Sequence, residues 1–191
     1  MVLLDRHSKG AIGEHYVLMR MLARGYAASI VNMSVGNSKY FDIFCSTRDL
    51  KKAVAVQVKS AFDASRSFNI GLSHGDFMTN GVFDDEKANQ SLDAKIKCAW
   101  IFVHVQNFGA IPEFRVFVMT RDQVIKLAYE SEKWYVNNVR HKAPLKGSGN
   151  VALALGWIEG YDTPASNTRD SFKNPFDPGE FEEAWENLGI D

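Results

Sequence analysis

One run limits the architecture of this chain more than any other: Ala53-Val54-Ala55-Val56-Gln57-Val58-Lys59 alternates strictly. A period of two belongs to a β-strand, whose successive side chains point to opposite faces. Val54, Val56 and Val58 therefore share one face, and Ala53, Ala55, Gln57 and Lys59 the other. The valine face is a packing face. The second is cleared by two alanines and then carries an amide and an ammonium side by side. Packing has no use for that pair, whereas a strand lining a phosphate and metal site does.

Around this strand the chain reads as an N-terminal helix followed by a three-strand meander. Ser8 is the expected cap of a helix over 8–24, closed by Gly25, with Val17, Leu18, Met21 and Leu22 at helical spacing. Glu14 stands three to four residues before the first of these, at the N-terminal end of the same face. Strands are expected at 27–32, 39–46 and 53–60, with a turn at Gly36-Asn37 and a charged turn over 48–52. Residues 61–90 are polar and rich in Gly, Ser, Asn and Asp, which reads as a long loop holding one extra strand at 67–72. A short helix over 85–97 precedes two apolar strands, 99–106 and 113–119, hinged by Gly109 and Pro112. Next come a helix over 121–135 capped by Thr120, with Val124, Leu127 and Ala128 on one face, a loop over 136–150, and a last strand over 151–161. A connector over 163–178 leads to a terminal amphipathic helix over 179–188 that presents Phe181, Trp185 and Leu188. The expected organisation is one α/β domain over 1–162, with 163–191 as a connector and helix packing on it.

Composition narrows the function classes. At 191 residues, 46% hydrophobic and 24% charged, the sequence is that of an ordinary globular protein. Its formal net charge of −1 supplies no overall field for nucleic acid, so such contacts need a local basic patch. Arg140, Lys142 and Lys146, close to Gly147-Ser148-Gly149, form one candidate, although a solvated loop is the commoner reason for such a cluster. Cys45 and Cys98 each lie in an apolar strand-like run and read as buried thiols of a reducing cytosol. No apolar stretch reaches membrane-spanning length, and the first ten residues are too short and charged for a signal peptide, so a cytoplasmic protein without membrane partners is expected.

Other chemistries find little support. His7, His15, His74, His104 and His141 show no ligand spacing. Ser73-His74-Gly75-Asp76 is contiguous, whereas a catalytic triad needs separated residues, so a polar turn is favoured. Trp134, Trp157 and Trp185 fall where helices and strands pack, which favours core roles over base stacking. Asp42 is harder to account for by packing. Aspartate is depleted in strands, and a carboxylate mid-strand between Phe41 and Ile43 is costly to bury unless paired or metal-bound. Neighbouring strands lie only about 5 Å apart, so Asp42 can approach Gln57, with Lys59 two residues further on the same face.

Gly13-Glu14 in the first helix, Asp42 on one strand, Gln57-Val58-Lys59 on the next, and Gly25-Tyr26 after the helix together resemble the PD-(D/E)XK nuclease superfamily. The resemblance covers about residues 8–60 and beyond them only the general order of elements. It implies a restriction endonuclease-like α/β fold, a mixed β-sheet flanked by helices. It implies Mg²⁺ or Mn²⁺ as cofactor, DNA as substrate, and a homodimer as the form in which members often cut two strands. Position by position, Asp42 matches the metal-ligating aspartate and Gln57 occupies the second acidic position. The Val58 carbonyl completes the metal shell, Lys59 matches the catalytic lysine, and Glu14 matches the helix acid that ligates directly or through water. Two departures stand out: Phe41 replaces the proline before Asp42, and Gln57 replaces Asp or Glu. The second leaves two formal carboxylates for a dication, which lowers the expected affinity. Two functions follow: a metal-dependent endonuclease, or a catalytically silent module that keeps the fold to bind DNA or a protein.

Overall fold

The computed structural model describes residues 5–31, 40–62, 67–108, 110–138, 150–154 and 175–190. Its first element is helix α1, Arg6–Ala23. Asp5 caps it, accepting the Ser8 N–H at 2.7 Å, so the helix starts two residues before the expected start and Ser8 lies inside its first turn. Gly25, at φ +88°, ends it: the Tyr26 N–H reaches the Met21 carbonyl and the Gly25 N–H that of Leu22. That bonding pattern is a Schellman closure. Val17 and Met21, one turn apart, are fully buried, whereas Leu22 is half exposed and falls off the packed stripe. Ile12 and Tyr16 pack in its stead, the Tyr16 ring stacked on Phe114 at 4.0 Å between centroids.

Strands β1 (Ala27–Ile30), β2 (Ile43–Ser46) and β3 (Ala53–Phe62) form the antiparallel meander. β2 is shorter than expected, starting at Ile43, and Gly36, Asn37 and Lys39 lie outside the described residues. Strands β4 (Ser67–Ser73), β5 (Met78–Thr79) and β6 (Val82–Phe83) are followed by helix α2 (Asp85–Lys95), then by β7 (Ala99–Gln106) and β8 (Glu113–Met119). Among the described residues the main sheet runs β1-β2-β3-β7-β8, with β3 and β7 parallel and every other pair antiparallel. The protein is thus α/β with a mixed multi-stranded sheet. β7 is an almost unbroken apolar run, as suits a central strand buried along its length, and His104 within it is buried.

The chain divides into two compact units whose segments interleave along the sequence. The first comprises Met1–Arg66, Lys97–Arg121 and Phe181–Asp191 and holds α1 and the five-stranded sheet. Its core joins Val17 and Met21 of α1 to Ile43, Cys45, Val56 and Val58, then to Ile101, Val103, Val116 and Val118. Phe181, Trp185 and Leu188 are buried as expected, but on two 3₁₀ turns, Pro178–Phe181 and Trp185–Leu188, instead of an α-helix. The main chain of this segment is tied to β8 by an isolated bridge between Glu182 and Phe117, and a continuous helix would forfeit that pairing.

The second unit comprises Ser67–Ile96 and Asp122–Glu180. The expected long loop is mostly structured. A 3₁₀ turn, His74–Phe77, follows β4, and β5 and β6 form a hairpin across Asn80 and Gly81, both at positive φ. Asp76 accepts from the Ser73 amide and hydroxyl, so the Ser73–Asp76 run is a polar turn. Helix α3, Arg121–Asn138, extends three residues past its expected end and buries Val124, Leu127, Ala128, Glu132 and Val136. β9, Asn150–Ala154, pairs with β4. Arg140, Lys142, Lys146 and Trp157 lie outside the described residues. Among the described residues no helix is long and apolar enough to cross a membrane.

Candidate active site

The site forms where β2 stops and β3 continues. Ile43 pairs with Val56, and the Asp42 N–H still reaches the Val56 carbonyl at 2.8 Å. Beyond that point no strand among the described residues pairs with β3 on this edge. The Val58 N–H donates instead to the Asp42 carboxylate, 2.8 Å from Oδ2, and the Gln57 amide Nε2 donates to the same oxygen. Asp42 and Gln57 are both more than nine-tenths buried. Burying a carboxylate is expensive unless it is hydrogen-bonded, and here a backbone amide and a side-chain amide meet that cost.

The alternation along β3 takes the expected form. Val54, Val56 and Val58 belong to the core beneath α1, which leaves Gln57 and Lys59 to the other face. There the parallel register sets Trp100 of β7 beside Gln57 and Phe102 beside Lys59. The Lys59 ammonium lies 5.5 Å from the centroid of the Trp100 ring, a cation–π contact that holds the flexible side chain over a fixed surface. The Trp100 indole N–H is buried and has no hydrogen-bond partner among the described residues.

Glu14 approaches from α1, and Gly13 is the reason it can. A Cβ built on Gly13 would meet Ser60 Oγ at 1.8 Å and Ser60 Cβ at 3.0 Å, so the helix lies against β3 more closely than any side chain at 13 would permit. Burial pushes the Glu14 carboxyl above its ordinary range, the charge of Asp42 pushes it further, and His15 and Lys59 oppose the shift. Glu14 therefore lies within electrostatic range of both Asp42 and Lys59.

Cys98 is expected from the sequence to be a buried thiol within a strand. It instead stands just before β7, half-buried, its Sγ donating to the Tyr40 carbonyl at 3.4 Å. Burial pushes its thiol up to about 11; a backbone hydrogen bond with Gln57 opposes this, Asp42 adds to it and Lys59 opposes it. Cys98 and Trp100 are neighbours of the site that sequence reasoning missed. Both arrive through the parallel β3–β7 pairing, which no local pattern encodes. Cys45 is fully buried, as expected.

Among the described residues no group of three or more His, Cys, Asp or Glu side chains is arranged to hold a metal. The oxygen donors gathered here are the Asp42 carboxylate, the Gln57 amide and the Val58 carbonyl, which lies 3.5 Å from Gln57 Nε2, and the Glu14 carboxyl is coupled to Asp42 electrostatically. No family model matches the chain, and no curated protein matches it.

Proposed function

We propose that the Asp42 edge is the centre of a restriction endonuclease-like, metal-dependent nuclease that hydrolyses DNA phosphodiester bonds. The observation that carries this reading is the convergence of Asp42, Gln57 and Val58 at the end of β2, with Glu14 coupled electrostatically to both Asp42 and Lys59. The donor chemistry suits a hard cation such as Mg²⁺ or Mn²⁺, which takes oxygen ligands. Asp42 and Glu14 would supply the charge, and the Val58 carbonyl and, once its amide is turned, Gln57 Oε1 would supply neutral oxygens. When bound, the metal would polarise the phosphate and acidify a water.

The chain's own residues would do the rest. Lys59, held over Trp100, would hold the attacking water or steady the phosphate. The Val58 N–H fixes the Asp42 carboxylate at the sheet edge, so that its orientation does not depend on substrate. Burial of Asp42 and Gln57 keeps bulk water from screening these charges.

One observation favours a second reading. The Gln57 amide already donates to Asp42 Oδ2 and faces the Val58 carbonyl, so it fills the role a cation would have between them. A catalytically silent module that binds DNA or a protein partner could keep the site in that form. Nicking of supercoiled plasmid with Mg²⁺ or Mn²⁺ separates the two. The nuclease reading expects cleavage that Asp42→Ala and Lys59→Ala each abolish with the fold intact. An inert wild type that still binds DNA favours the silent module. Full cleavage by both variants would mean that the activity comes from elsewhere.

A further inference from the structure

Among the described residues, seven large hydrophobic side chains are exposed, and the two aromatic ones are Tyr40 at 39% and Phe44 at 46%. They stand two residues either side of Asp42. Phe44 lies in the middle of β2, with Ser29 of β1 and Ala55 of β3 as its cross-strand partners. Both are small, and Ala27 and Ala53 beyond them are exposed, so the cross-strand neighbours of the ring among the described residues are low. At about 3.3 Å per residue, Phe44 stands some 7 Å along the chain from Asp42.

Charge is disposed to match. The turn at the far end of β2 carries Arg48, Lys51 and Lys52 against one carboxylate, Asp49, and Lys59 stands at the near end. Cations near exposed aromatic rings on one strand edge suit a polyanion whose bases are free to stack. Duplex DNA hides the faces of its bases within its own stack, whereas a single strand offers them.

We propose that Tyr40 and Phe44 are stacking platforms for the bases flanking the phosphate at Asp42, and that the chain takes single-stranded nucleic acid: a free strand, a flap or a melted junction. The assignment rests on the nuclease reading for where the phosphate lies, but binding without metal tests it separately from cleavage.

The probes are a fluorescein-labelled single-stranded deoxyoligonucleotide, its duplex, its ribose counterpart and an abasic version, each titrated in EDTA by fluorescence anisotropy. The single strand should bind more tightly than the duplex. Phe44→Ala and Tyr40→Ala should each weaken single-strand binding by between about 5- and 150-fold, the span of one base–aromatic stack, and leave duplex binding unchanged. Phe44→Leu, which keeps an apolar side chain on the strand, should lose binding as Phe44→Ala does. The abasic strand should bind wild type weakly and be indifferent to these variants. A 2-aminopurine base placed in the strand should be quenched on binding wild type and not the variants. Tighter binding of the ribose strand with the same losses supports the platform and identifies RNA as its ligand. Equal or tighter binding of the duplex, aromatic variants that bind as wild type, or no binding of any strand would overturn the proposal. Stacking without cleavage would defeat the nuclease reading alone, and cleavage without stacking would defeat this one alone.

Discussion

Replacing Gln57 by glutamate is the sharpest perturbation of the Asp42 edge. It swaps a donor for a charge while leaving the side-chain shape unchanged. The hydrogen bond from Gln57 to the Asp42 carboxylate is lost, and bonds to charged groups contribute about 1.5–3 kcal/mol. Two carboxylates at about 4 Å then repel by roughly 4 kcal/mol at an effective dielectric of about 20. The loss has a ceiling, because the new group can take up a proton and donate a hydrogen bond as the amide did. Protonating a carboxyl with an ordinary pKa of about 4.3 costs roughly 3.7 kcal/mol at pH 7 and about 1 kcal/mol at pH 5. Gln57→Glu without metal should therefore be about 3–4 kcal/mol less stable than wild type at pH 7, and most of the loss should vanish by pH 5. Mg²⁺ should narrow the gap. A site filled at a hundred times its dissociation constant gains about 2.7 kcal/mol, and the variant, with one more negative ligand, should gain more than wild type. Urea denaturation at the two pH values, with and without Mg²⁺, measures all four quantities. A loss that is the same at both pH values and indifferent to Mg²⁺ would refute the assignment of Gln57 to a ligand position facing Asp42.

Gly13→Ala should destabilise the protein by about 1–3 kcal/mol through overpacking against Ser60, despite alanine's better helix propensity. Ser60→Gly in the same chain should recover most of that; a Gly13→Ala variant more stable than wild type would show that α1 does not lie so close to β3. Glu14, whose folded pKa is raised, binds its proton more tightly folded than unfolded, so its ionisation costs stability as pH rises from 4.5 through that raised value. Glu14→Gln should remove this slope, raise the metal-free melting midpoint at neutral pH, and reduce the gain that Mg²⁺ gives; a steeper slope in the variant would contradict the shift.

What the sequence disclosed follows from how local each signal is. The alternation of 53–59 needs only the pleat of a strand, so the faces of Val56, Gln57 and Lys59 were legible, as were the bounds of β7 and β8. Gly13 beside Glu14 is visible as a pair in the sequence, but its reason, the contact with Ser60, exists only once α1 has docked on β3. The polar stretch after 61 reads as loop because its Gly, Ser, Asn and Asp content masks short strands. Asn80-Gly81 between short apolar pairs is a hairpin signal by itself, since both residues tolerate positive φ. Asp5 took the cap from Ser8 because either can accept an N–H at a helix start, and only the local chain path decides between them. Cys98 and Trp100 were beyond reach: their nearness to Asp42, Gln57 and Lys59 comes from a parallel pairing between strands some forty residues apart.

The claim on which the whole account turns is that a divalent cation belongs at the Asp42 edge. Diffraction from crystals soaked in Mn²⁺, recorded for anomalous scattering, tests it most directly. A peak is expected at coordination distance from an Asp42 carboxylate oxygen, with Glu14 joined to it directly or through water and the Gln57 amide turned to offer its oxygen. An Asp42 edge without anomalous density at a Mn²⁺ concentration that supports binding elsewhere, with Gln57 Nε2 still on Asp42, would contradict it.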